Sequence, residues 1–138
     1  MKKYQEIAAI LLRLCLAAGF LSAVASRLGY WGHHSSGWSN FIIYTEQVNS
    51  FVPKRAAGLI AVVSTITETT LGLLLIFGYK TRYAAIATAL LTLAFAIAMS
   101  WSFGIKEALD YSVFAFSMGA FLLATLPHHK WSIDQLLK

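Results

Sequence analysis

Four stretches of the chain are nearly free of strongly polar side chains: Ile7–Leu28, Ala56–Phe77, Tyr83–Ser100 and Tyr111–Leu126, the last drawn as a helix from Asp110. A helix rises 1.5 Å per residue and needs about 17–25 apolar residues to cross hydrocarbon. The pattern therefore predicts four membrane-spanning helices over 7–28, 56–77, 83–100 and 110–126. No run alternates apolar and polar residues as a barrel strand must. Between the first two runs, Phe41, Tyr44, Val48, Phe51 and Val52 recur at helical spacing, with Asn40, Glu46, Gln47, Asn49 and Ser50 between them. This predicts an amphipathic helix over 39–52, on the outer membrane surface or capping the bundle, stopped by Pro53. Gly78–Arg82 is short enough for a tight helical hairpin. The expected fold is all-α: a four-helix transmembrane bundle with an extra amphipathic surface helix in the first, extracytoplasmic loop. Residues 1–138 form one domain without internal repeats.

Composition narrows the function classes. Of 138 residues, 58% are hydrophobic and 12% charged, against about 25% charged in soluble domains. Too little polar surface remains to cover a soluble core, and the chain is far too apolar to be disordered. A single cysteine excludes an intrachain disulfide and a paired-cysteine redox centre. No glycine-rich nucleotide motif is present. The net charge of +5 reads as a topology signal, not as nucleic-acid binding. Trp31, Trp38, Trp101 and Trp131, with Tyr4, Tyr30, Tyr79, Tyr83 and Tyr111, fall at or outside the segment ends, as in an aromatic belt. Lys2, Lys3, Lys80, Arg82, Lys130 and Lys138 lie on one side; Arg27, Lys54, Arg55 and Lys106 lie on the other. The bias predicts cytoplasmic termini. A competing reading makes the N-terminus a signal peptide cleaved after Ala23-Val24-Ala25, but Arg13 interrupts its apolar region.

Charge inside hydrocarbon costs at least ~2.5–3.5 kcal/mol on insertion scales and defaults to function. Two such residues stand out. Arg13 lies roughly 9 Å in from the start of its span and Glu68 roughly 13–14 Å from the end of its own. Similar depths predict an Arg13–Glu68 ion pair, either a structural staple or a ligand or proton site; the alternative for Arg13 is snorkelling to the headgroups. Ser64 shares a helix face with Glu68, and Thr65 lies beside it, so both are candidate lining residues. Asp110 is a secondary candidate, expected to cap the fourth span near the outer surface, too far from Glu68 for a carboxylate pair. His33, His34, His128 and His129 lie outside the spans on opposite faces, so no metal or haem site is expected. Cys15 points about 200° around its helix from Arg13 and reads as a bystander.

The order of motifs resembles the DoxX family. Leu11-Leu12-Arg13-Leu14 followed by Gly19-Phe20, then Glu68-Thr69-Thr70-Leu71-Gly72 running to Gly78, are similar to its first two spans. Tyr79-Lys80-Thr81-Arg82-Tyr83-Ala84-Ala85 is similar to its Thr-Arg turn, and Trp131-Ser132-Ile133-Asp134 to its tail. The resemblance implies a small four-helix protein of the bacterial inner membrane, linked to quinone and sulfur redox chemistry or oxidative-stress complexes. A quinone is the implied cofactor, and a redox protein or a second copy the implied partner besides the bilayer. Catalysis is not thereby assigned. The rival classes are a structural anchor or assembly factor without ligand and, more remotely, a small-solute transporter.

Overall fold

Helices form where the apolar runs lie. The computed structural model describes residues 1–138, with seven α-helices and no strand. Helix α1 (Lys3–Arg27), α3 (Ala57–Phe77) and α4 (Thr81–Phe103) are long and apolar enough to cross a membrane. The fourth apolar run, expected to be helical from Asp110, is helical only from Val113. Six residues form α5 (Ile105–Asp110), a turn follows with Ser112 in left-handed backbone, and α6 (Val113–Thr125) has 13 residues. At about 20 Å, α6 alone is shorter than the ~30 Å hydrocarbon core. Leu11, Leu59, Ile66, Leu90 and Phe121 are exposed on the helix exteriors, a surface suited to lipid and not to water.

Small residues set the packing. Along α4, Thr81, Ala85, Thr88, Thr92 and Ala96 recur every three or four positions and are buried. They meet Ser117, Ala120 and Ala124 of α6, and Ser117 Oγ donates to the Ala89 carbonyl at 2.7 Å. In hydrocarbon, association depends on such close approach and interhelical hydrogen bonds. A Cβ on Gly72 of α3 would lie 2.9 Å from Leu21 of α1; one on Gly19 of α1 would lie 2.7 Å from the Phe116 ring of α6.

Helix α2 (Trp38–Val48) packs against α3 and α4 at the end of the bundle remote from the termini. It ends at Val48, before the expected boundary at 52. Asn49 turns its side-chain amide back to the Thr45 carbonyl at 2.9 Å, so a local side-chain bond ends the helix before Pro53 can. Ser102 Oγ of α4 donates to the Val48 carbonyl, tying the end of α2 down.

At the opposite end, the C-terminal tail with its short α7 (Ile133–Leu136) clamps the α3–α4 hairpin. Asp134 accepts from the Lys80 and Thr81 N–H groups at 2.6 and 2.7 Å and caps α4 across 54 residues of chain. Burial alone would raise the Asp134 carboxyl; the bonds from Thr81 and Lys80 outweigh it and hold the group below the usual carboxylate range. The Asp134 N–H donates to the Gly78 carbonyl at 3.0 Å, and Lys130 pairs with Glu6 of α1 at 2.8 Å.

Gly78 terminates α3 in left-handed backbone (φ 64°), and a Cβ there would sit 2.3 Å from Ser132 Cβ. Gly78→Ala should therefore lose about 1–2 kcal/mol from backbone strain alone, with undocking of the tail added. The check is thermal unfolding in detergent together with limited proteolysis. An unchanged unfolding temperature and a still-protected tail would refute the clamp.

Candidate functional site

Glu68 sits mid-helix on α3, 2% exposed. Its partner is not Arg13. Arg27, in the last turn of α1, brings Nη1 to 2.5 Å from Glu68 Oε2. The same Nη1 donates to Thr65 Oγ1 at 3.1 Å. No well-aligned N–H points at Oε2, so the close contact is an ion pair by distance whose directional bond goes to Thr65. The Arg27 guanidinium also lies 3.8 Å from the Phe41 ring centroid of α2, within cation–π range. A cation in the final turn of α1 is further favoured by the helix dipole.

Arg13 lies at the other end of the bundle. Its guanidinium donates to the Trp131 carbonyl at 2.6 Å and the Lys130 carbonyl at 3.3 Å. The expected pairing with Glu68 fails on register. Helix α1 runs past the end of α3, so Arg13 comes level with Gly78, where a Cβ would lie 2.8 Å from Arg13 Nη1. Ten residues of α3, about 15 Å, separate Gly78 from Glu68. Depth counted from each helix's own end had made the two look level.

Beside the ion pair lies a cavity of about 500 Å³, walled by α1, α3, α4 and α6 and roofed by α2. That is within the range of small-molecule sites. Phe20, Ile60, Phe95, Met99 and Phe116 give it apolar walls. Glu68, Ser64, Arg27 and Thr92 form a polar floor, and Tyr44, Thr45 and Asn49 enter from the roof. Burial, then Tyr111 and Glu107, push the Tyr44 phenol up, so it remains a hydrogen-bond donor at neutral pH. The arrangement suits a flat apolar ligand with a polar head.

The structure thus brings Glu68 and Ser64 into the cavity, places Thr65 behind them as the acceptor for Arg27 and not in the lining, and leaves two candidates out. Arg13 belongs to the tail clamp. Asp110 ends α5 instead of opening α6 and is paired with Lys106 one turn back, so it caps no span and stays exposed. Arg27 was counted only as an outer topology charge. The close approach of Gly72 to Ala17 and Leu21 aligns the last turn of α1 with Ser64–Glu68, a relation that the sequence alone does not display. The roof residues carried no such signal, because their partners are remote in sequence. His33 and His34 lie between α1 and α2 with ring centroids 4.3 Å apart and planes tilted by 45°, away from His128 and His129. Cys15 is exposed on the outer face of α1.

Apolar spanning helices packed around a buried ion pair and an apolar cavity define an all-helical membrane protein. A family model described as DoxX matches residues 8–101, more than half of the sequence. The chain belongs to the DoxX family. No curated protein and no solved structure matches it.

Breaking a buried pair costs about 3–5 kcal/mol. Arg27→Leu strands Glu68 deep in the bundle, whereas Glu68→Leu leaves Arg27 near a helix end where it turns toward water. The first should lower stability more than the second, and the double variant should recover much of the loss. Arg13→Leu combined with Glu68→Leu should be additive within about 0.5 kcal/mol. Denaturation in detergent reads all three; coupling of Glu68 to Arg13 instead of Arg27 would overturn the assignment.

Proposed function

We propose that this DoxX protein is a multi-pass protein of the bacterial inner membrane that binds a small apolar ligand with a polar head, of the quinone class, as the membrane subunit or partner of a redox system. The observation that carries this reading is the cavity of about 500 Å³ with largely apolar walls and a buried charge pair on its floor. The residues suit a quinone: aromatic and aliphatic walls for the ring and chain, with Ser64, Tyr44 and Arg27 as donors for its carbonyl oxygens. A bound quinone would supply the electron-carrying chemistry; the protein would bind it, orient its head and keep water out. In this arrangement α5 and α6 together complete a fourth crossing, α2 lies at the outer surface over the site, and both termini are cytoplasmic.

One observation favours the second reading, a structural anchor without ligand. Arg27 contacts Glu68 and donates to Thr65, joining α1 to α3 with no ligand involved, which is what a staple requires. Titration of the purified protein with a short-chain quinone analogue, followed by tryptophan fluorescence and thermal unfolding, separates the two. Binding should be saturable and should fall at least tenfold in Ala23→Trp, which fills the cavity while leaving the ion pair intact. Absence of binding to the wild type, or undiminished binding to the filled variant, rejects the ligand reading in favour of the anchor.

Orientation has its own check. A reporter active only in the cytoplasm should work when fused after Lys138 and fail when inserted at Ser36. Activity of a periplasm-only reporter at Lys138 would reverse the topology.

A further inference from the structure

The charge of the protein is distributed unequally between its two ends. Around Arg27, α2 and α5 lie four cations and four carboxylates: Arg27, Lys54, Arg55 and Lys106 against Glu46, Glu68, Glu107 and Asp110. At the end that carries the termini lie seven cations and only two carboxylates, Glu6 and Asp134. The whole excess of +5 is therefore at one end. Both carboxylates there are committed. Glu6 holds Lys130, and Asp134 caps the backbone of α4.

These groups surround a cleft of about 750 Å³ between the start of α4, the end of α6 and the tail. Lys80, Arg82 and Lys138 line it, and none has an ion-pair partner. His129 is part of the same wall, and its Nε2 is buried without a hydrogen-bond partner. Burial, helped by Arg13, Lys138 and His128 and opposed by Asp134, holds this imidazole below its ordinary range. Tyr83 also lines the cleft, and from it an exposed stripe through Ile86 and Leu90 runs along α4. A ligand that is anionic at one end and apolar along its length would match both the cleft and the stripe.

We propose that this cleft binds the phosphate of an anionic phospholipid, with Lys80, Arg82 and Lys138 around the head group and the acyl chains laid along Tyr83, Ile86 and Leu90. Basic pockets at the ends of spanning helices are suited to such heads. A guanidinium offers a bidentate fork to phosphate oxygens, and the ammonium groups act as mobile point charges. The site is separate from the cavity under α2 and does not depend on what fills that cavity. A soluble phosphate would meet the same cations, but it would make no use of the apolar stripe.

The test uses the full chain purified in neutral detergent. Native mass spectrometry measures the retention of phosphatidylglycerol and of phosphatidylcholine with identical acyl chains, and thermal unfolding is followed with each lipid and with inorganic phosphate. Phosphatidylglycerol should be retained at least tenfold more than phosphatidylcholine. The double variant Lys80→Gln, Arg82→Gln alters two exposed side chains, so its helix content should stay as in the wild type while its retention of phosphatidylglycerol falls to the phosphatidylcholine level. Stabilisation by inorganic phosphate equal to that by phosphatidylglycerol, and abolished in the same variant, supports the phosphate site with a soluble ligand as its source. Equal retention of the two lipids with no effect of phosphate overturns the proposal. So does a folded double variant that keeps its preference for phosphatidylglycerol.

Discussion

A carboxylate buried in the middle of a spanning helix is the constraint on which this architecture turns. Glu68 is 2% exposed, and hydrocarbon offers it no solvent. A carboxylate there calls for a cation beside it, and Arg27 is the one within reach. Their contact fixes which turn of α1 faces which turn of α3. It also fixes α2, because the guanidinium that meets Glu68 presents its face to Phe41. Removing the ion pair would therefore disturb the fit of α1 against α3 and the placement of α2 over the cavity together. Buried pairs give weak net stability but strong penalties when broken. Such a pair selects one helix register among several that apolar packing alone would tolerate.

The two ends of the bundle are built on different physics. Under α2 the charges balance, the walls are apolar and the polar groups point inward. At the tail the charges do not balance. Backbone capping by Asp134, the carbonyl contacts of Arg13 and the Lys130–Glu6 pair hold the segment while Lys80, Arg82 and Lys138 have no ion-pair partner. Gly78 belongs to this second end: its left-handed backbone and missing Cβ let Ser132 approach where any side chain would block it. A single arginine type thus serves two purposes in one helix, Arg27 neutralising a carboxylate and Arg13 satisfying carbonyls.

Much of the architecture was legible in the sequence because hydrocarbon solvent leaves few options. Uninterrupted apolar runs had to become helices, and aromatic residues had to mark their ends. Glu68 and Ser64 stood out for the same reason, since a polar residue among Leu, Ile and Val needs an explanation. What stayed illegible was relational. Arg13 and Arg27 are both arginines on one helix, and only the stagger of α1 against α3 decides between them. That stagger depends on Gly72 meeting Leu21 and on the tail filling space beside the start of α1, neither of which leaves a periodic trace. Asp110 was misplaced because nothing in the sequence separates it from the apolar run that follows. The break between α5 and α6 depends on a left-handed turn at Ser112, a conformation that serine does not advertise. The end of α2 was set by Asn49 and not by the proline beyond it, a competition that spacing alone does not reveal.

The cap that Asp134 places on α4 has a consequence for the order of assembly. The N–H groups of Lys80 and Thr81 emerge from the ribosome long before the carboxylate that accepts from them. Until then the hairpin between α3 and α4 has an uncapped helix end at the membrane surface. Contacts so distant in sequence form late and act as a final cooperative step. The tail therefore couples two distant parts of the fold: Asp134 reaches the N–H groups of Lys80 and Thr81 only once α6 has packed back against α4, and until then the hairpin stays uncapped.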